Sequence, residues 1–154
     1  MTLKVGQKAP NFTIATENED FTLSDHRGKK IVIYFYPKDM TPGCTVQANE
    51  FTYLHDEFKK LNTLIIGISK DTNEKHAKFR AKYDLTIQLG SDTEGVVLDT
   101  YKAWGNKMLY GRTFLGIIRS TYLIDENGLI QKIWPKVKTK GHAKSVLDTV
   151  KEFR

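Results

Sequence analysis

Residues 31–36 read IVIYFY, six apolar or aromatic side chains without a polar break. A half-exposed strand would alternate, and an amphipathic helix would repeat every three to four residues. An unbroken β-branched and aromatic run of this length predicts a central strand covered on both faces. Pro37, which has no N–H to donate, ends it. TLIIGIS (63–69) reads as a second buried strand and FTIAT (12–16) as an earlier one. STYLID (120–125) and LIQKIW (129–134) flank ENG, a hairpin turn signal. Helical spacing starts at Thr41, with Phe51, Leu54, Phe58 and Leu61 on one face. Residues 73–83, GVVLDTYKAW (95–104) and HAKSVLDTVKEF near the end predict three more helices.

Strands mixed with helices, closed by a late hairpin, place the chain in the α/β class. The order fits a thioredoxin-like fold: a mixed central sheet flanked by helices, with extra N-terminal strands. The length suits one domain over residues 1–154. An apolar fraction of 40% and a charged fraction of 27% are those of an ordinary soluble chain, and no run is long enough to span a bilayer. The start, MTLKVGQKAPNF, has neither an apolar signal core nor an Arg-rich amphipathic pattern, so a cytoplasmic protein with no membrane partner is expected. A net charge of +6 raises the question of nucleic acid. The lysines are interleaved with acids, as in DEFKK and KDTNEKHAKFR, and no nucleic-acid partner is expected. The densest basic stretch, PKVKTKGHAK, reads as a solvated edge strand or loop leading into the last helix.

Cys44 is the only cysteine, at the end of PKDMTPGC. No internal disulfide can form, which fits a reducing compartment. Thr41 can cap the helix that starts here, and Pro42 suits its first position. Cys44 then lies in the first turn, where free N–H groups and the positive end of the helix dipole favour a thiolate. Gly43 keeps bulk away from the sulfur. The same residues also read as a packed, inert cysteine, since most free cysteines are small buried hydrophobes. Chemistry narrows by absence. A disulfide oxidoreductase needs a second Cys. A cysteine hydrolase needs a positioned His. His26, His55, His76 and His142 sit in no protease context and read as surface or capping residues. No pair has spacing suited to zinc, so no metal and no cofactor are expected. Attack of a thiolate on an electrophile that needs little activation, such as a peroxide O–O bond, remains.

Pro37, Thr41 and Cys44 form Pro-x-x-x-Thr-x-x-Cys, which resembles the signature of the peroxiredoxins. FYPK followed by TPGCTVQA is similar to the bacterioferritin-comigratory-protein (PrxQ) subfamily. So is WGNKMLYGRTFLGIIRSTYLID (104–125), in which Arg119 matches the family's catalytic arginine. The resemblance runs over essentially the whole chain. It implies a thioredoxin-like fold and thiol-dependent peroxidase activity through a cysteine sulfenic acid. Cys44 would be the peroxidatic nucleophile, and Thr41 would hydrogen-bond at the sulfur and the incoming peroxide. Arg119 would favour the thiolate and stabilise charge on the leaving oxygen. Pro37 would shield the sulfur from water. Tyr36, Phe35, Trp104 and Trp134 read as packing residues.

Many members of that subfamily carry a second cysteine five residues after the first, where this chain has Asn49. Five residues along a helix turn the side chain by about 140° and raise it by about 7.5 Å, so a thiol there could reach Cys44 only if the helix unwound. With no such disulfide to form, the helix is expected to stay intact through turnover. The reductant must then come from outside: a thioredoxin, a glutaredoxin, a low-molecular-weight thiol, or a second subunit through an intermolecular disulfide. The resemblance leans towards a monomer and leaves a dimer open. A second reading stands beside the peroxidase: a peroxide-sensing redox switch that signals to a partner through oxidised Cys44. The complete Pro37–Thr41–Cys44–Arg119 set favours the enzyme, because a sensor needs less transition-state machinery.

Overall fold

The computed structural model describes residues 3–153, the side chain of Leu109 excepted. Among these residues nine strands and four α-helices follow in order, with one short 3-10 helix (Leu23–His26) after β2: β1 (Thr13–Thr16), β2 (Phe21–Thr22), β3 (Lys30–Phe35), α1 (Pro42–Lys60), β4 (Thr63–Ser69), α2 (Asn73–Tyr83), β5 (Gln88–Ser91), α3 (Val96–Thr100), β6 (Trp104–Leu109), β7 (Arg112–Ile117), β8 (Ser120–Ile124), β9 (Ile130–Trp134) and α4 (His142–Glu152). Seven strands form one mixed sheet in the order β2-β1-β5-β4-β3-β8-β9, while β6 and β7 form a separate ribbon. The thioredoxin-like arrangement with added N-terminal strands is therefore present. No helix among the described residues is long and apolar enough to cross a membrane.

The IVIYFY run is central, as its composition requires. β3 pairs in parallel with β4 on one side and antiparallel with β8 on the other. Its side chains divide between two cores. Val32, Tyr34 and Tyr36 meet α1, α2 and α4 through Ala48, Phe51, Phe58, Phe79, Val146 and Leu147. Ile31, Ile33 and Phe35 face α3 and the N-terminal segment through Leu98, Tyr101, Ile14 and Leu23. Tyr36 still donates its amide to the Ile68 carbonyl at 3.1 Å, and Pro37 then stops the ladder.

Two departures have local causes. Residues 95–104 do not form one helix: α3 ends at Thr100, and Trp104 opens β6. Lys102 adopts a left-handed conformation (φ 59°), with Ala103 N–H donating to the Leu98 carbonyl and Lys102 N–H to the Asp99 carbonyl. That is a Schellman stop, made without its usual glycine. The ribbon turns at Tyr110 and Gly111, both at positive φ (52° and 75°), the two-residue turn whose twist suits a hairpin. The ENG hairpin is present as expected, between β8 and β9.

The histidines also differ from expectation. His26 is half-buried against Phe21, and His55 bonds Thr86. His76 is fully buried. His142 does open α4, but it too is buried, its Nε2 2.8 Å from Thr121 Oγ1 and its ring edge-on to Trp134 and Phe51. Burial, and next the nearby positive charge of Arg119, lower its pKa to about 4. The unfolded imidazole takes up its proton at about 6.5. Between these values the unfolded chain binds the extra proton, so stability falls as pH drops from about 6.5 to about 4. Urea unfolding at pH 7 and pH 5 should show wild type losing about 2 kcal/mol more than His142→Asn over that interval. An identical loss in both would exclude His142 as the source.

Candidate active site

The topology brings two distant segments together. The last residue of β3, Phe35, pairs with the first of β8, Ser120. The chain leaving β3 towards α1 and the chain entering β8 therefore lie at the same end of the sheet. Cys44, in the first turn of α1, and Arg119, just before β8, meet there. Arg119 Nη2 donates to Cys44 Sγ at 3.3 Å, and Nη1 donates to Gln47 Oε1 at 2.7 Å. Cys44 is 1% exposed. The guanidinium is thus the one side-chain partner of a buried sulfur among the described residues.

The backbone of Arg119 is fixed as well. Its carbonyl accepts from Val137 N–H at 3.0 Å, so the basic loop after β9 packs against the site rather than lying free. Gly43 has a steric reason that the sequence did not disclose. A Cβ there would stand 3.3 Å from Arg119 Nη2 and 3.5 Å from the Thr139 methyl. The absent side chain makes room for the guanidinium.

Thr41 occupies the N-cap position, with extended backbone, and Pro42 follows at the first helical position. The hydroxyl does not cap, contrary to expectation. It donates to the Lys38 carbonyl at 2.8 Å and closes the turn before the helix. The first backbone bond of α1 runs from Thr45 N–H to the Thr41 carbonyl at 2.9 Å. The amides of Gly43 and Cys44 lie ahead of it, with no side-chain cap on them, so they remain as donors beside the sulfur. Pro37 is half-buried at the exit of β3.

Gln47 was not singled out from sequence. It lies one turn beyond Cys44 on the same face of α1, and that spacing is the signal that could have found it. Its side chain is buried, with Oε1 on Arg119 and Nε2 without a partner. Lys107 on β6 is a second cation at the site. Its pKa is lowered by burial and then by Arg119, while the charge of Cys44 opposes both. Tyr34, its hydroxyl buried without a partner, is pushed up by burial and then by the charge of Cys44. Phe35 and Tyr36 are core residues as expected. Trp134 packs on His142, whereas Trp104 is exposed beneath the Lys70 ammonium. Asn49 faces outward, on a groove of about 650 Å³ that it borders with Tyr53, Leu54 and Lys144. Cys44 is not part of that groove.

Comparison with known proteins agrees with this geometry. Residues 5–133 match the AhpC/TSA family. Peroxiredoxin Bcp of Bacillus subtilis is 45% identical over 154 residues, covering 99% of this chain and 98% of its own length. The structure of Xanthomonas campestris bacterioferritin comigratory protein, described for its alkyl peroxide reduction activity, superposes with a TM-score of 0.91 at 36% identity, covering 100% of this chain and 99% of that one. A cysteine-to-serine mutant of PrxQ from Xylella fastidiosa gives 0.93 at 32% identity, covering 99% and 98%. The chain belongs to the AhpC/TSA family and, within it, to the Bcp/PrxQ peroxiredoxins, which makes it a thiol-dependent peroxidase with a single cysteine.

Proposed function

We propose that this peroxiredoxin reduces hydrogen peroxide and organic hydroperoxides through a one-cysteine cycle completed by an external thiol. The observation that carries the reading is the 3.3 Å contact from Arg119 to Cys44 at an uncapped helix N-terminus. In the oxidative step the Cys44 thiolate attacks the terminal oxygen of ROOH. The S–O bond forms as the O–O bond breaks, leaving Cys44 as sulfenic acid, and RO⁻ takes a proton and departs as ROH. Negative charge moves from sulfur to the leaving oxygen. Arg119 and the free amides of Gly43 and Cys44 stand where that charge develops, so they stabilise the transition state more than the ground state. The Thr41 hydroxyl, its own proton committed to Lys38, offers lone pairs to the peroxide hydrogen. Pro37 keeps bulk water from the sulfur. Gln47 holds the second arm of the guanidinium.

The reductive half needs two outside thiols. The first attacks the sulfenic acid, releasing water and forming a mixed disulfide. The second displaces Cys44 and leaves as the external disulfide. The cycle takes nothing from a second subunit, in keeping with a monomeric cytoplasmic protein of one domain. A slow second half would leave the sulfenic acid open to over-oxidation.

Peroxide consumption should continue over many turnovers with at least one of thioredoxin, glutaredoxin or a low-molecular-weight thiol, and should vanish in Cys44→Ser. One stoichiometric oxidation with every reductant would instead indicate a redox switch. Asn49 points away from the sulfur, and no in-chain disulfide requires α1 to open. Hydrogen exchange in the first two turns of α1 should therefore be alike in the reduced and sulfenic forms; lost protection on oxidation would contradict an intact helix.

A further inference from the structure

The turn that delivers Cys44 is strained and is anchored from behind. Met40 adopts a left-handed backbone (φ 70°), unfavourable for a residue with a side chain. On one side the Thr41 hydroxyl closes onto the Lys38 carbonyl. On the other stands Asp39, buried with all its partners. Tyr36 Oη donates to Asp39 Oδ1 at 2.6 Å, and His76 Nδ1 lies 2.7 Å from Oδ2. The Asp39 amide donates to Asp71 Oδ2 at 2.8 Å, and Ser69 Oγ donates to the same oxygen at 2.8 Å. His76 Nε2 reaches the Gly90 carbonyl at 3.1 Å. His76 thus bridges the Asp39 carboxyl and the Gly90 carbonyl through its two ring nitrogens.

We infer that the buried, hydrogen-bonded Asp39–His76 pair is a positioning device that holds the strained Met40 turn, and through it Cys44, in register with Arg119. Asp39 and His76 touch neither the sulfur nor Arg119, so they act through the backbone. A buried pair of this kind adds little stability over apolar packing of the same volume. What it supplies here is direction: it ties a loop leaving β3 to α2 through His76, to β5 through Gly90 and to the end of β4 through Asp71 and Ser69. Losing the Asp39 carboxyl contacts frees the turn to relax from the left-handed region, and the sulfur then drifts from the guanidinium. Reaction with peroxide, which needs that alignment, suffers. Alkylation by iodoacetamide, a neutral reagent, does not need it when both rates are followed at a pH high enough to ionise any thiol.

This rests on Cys44 as the peroxidatic residue, and wild type tests that separately: a wild-type thiol that peroxide does not oxidise rapidly defeats the enzymatic reading itself. Given a reactive wild type, Asp39→Asn should lower the single-turnover peroxide rate constant by about ten-fold while changing the iodoacetamide rate by less than about two-fold. Met40→Gly tolerates the left-handed turn without strain, so adding it to Asp39→Asn should restore part of the lost rate. A parallel fall of both rates, or an unchanged peroxide rate in folded Asp39→Asn, would overturn the inference. Should Asp39→Asn fail to fold, Tyr36→Phe removes one hydrogen bond from the same carboxylate. It should lower the peroxide-to-iodoacetamide rate ratio by about three-fold; an unchanged ratio in that variant would overturn the inference equally.

Discussion

The contact between Arg119 Nη2 and Cys44 Sγ spans 75 positions of chain and 3.3 Å of space, and the rest of the site is arranged to permit it. Each neighbour has a part that follows from geometry. Gly43 gives the guanidinium room, Gln47 holds its other arm, and Val137 fixes its carbonyl. A guanidinium suits this position because its fork reaches a side-chain oxygen and the sulfur at once; an ammonium is a point charge and cannot match both directions.

The sheet explains why the contact forms. A parallel crossover sends the chain from the end of β3 through α1 to β4, so α1 begins at the carboxyl end of the central strand. The antiparallel neighbour β8 begins at that same end. The first turn of α1 and the residue before β8 are then neighbours by register alone. The helix start brings the sulfur to the cation, and Phe51 and Phe58 pack the apolar face of α1 against the sheet. Dispensing with an in-chain resolving thiol asks nothing further of this frame, since Asn49 faces outward.

The elements with strong local signals were legible in the sequence. The bounds of β4 and α2 fall where composition and spacing put them, and Pro42 opens α1 as its chemistry suggests. Cys44 stood out as the one thiol at a helix start, whereas Arg119, which reads locally as a strand-edge charge, was legible only through the family resemblance. What was hidden depends on partners far along the chain. The Thr41 hydroxyl turns to Lys38 instead of capping. His76 and His142 are buried because distant strands and helices cover them, which no local pattern announces. GVVLDTYKAW keeps a helical composition past the point where Lys102 stops the helix in a conformation its residue type rarely takes, so the start of β6 at Trp104 carries no local signal. Gln47 looked like any polar helix residue until Arg119 was placed beside it.

The peroxidase mechanism depends on Arg119 acting on the transition state. Stopped-flow oxidation of Cys44 by hydrogen peroxide under single-turnover conditions isolates that step from the external reductant. Arg119→Ala should lower the second-order rate constant by at least about ten-fold, roughly 1.4 kcal/mol of lost transition-state stabilisation. Arg119→Lys should recover only part of it, since one ammonium cannot serve both Cys44 and Gln47. A rate constant unchanged in a folded Arg119→Ala protein would contradict the role assigned to the contact.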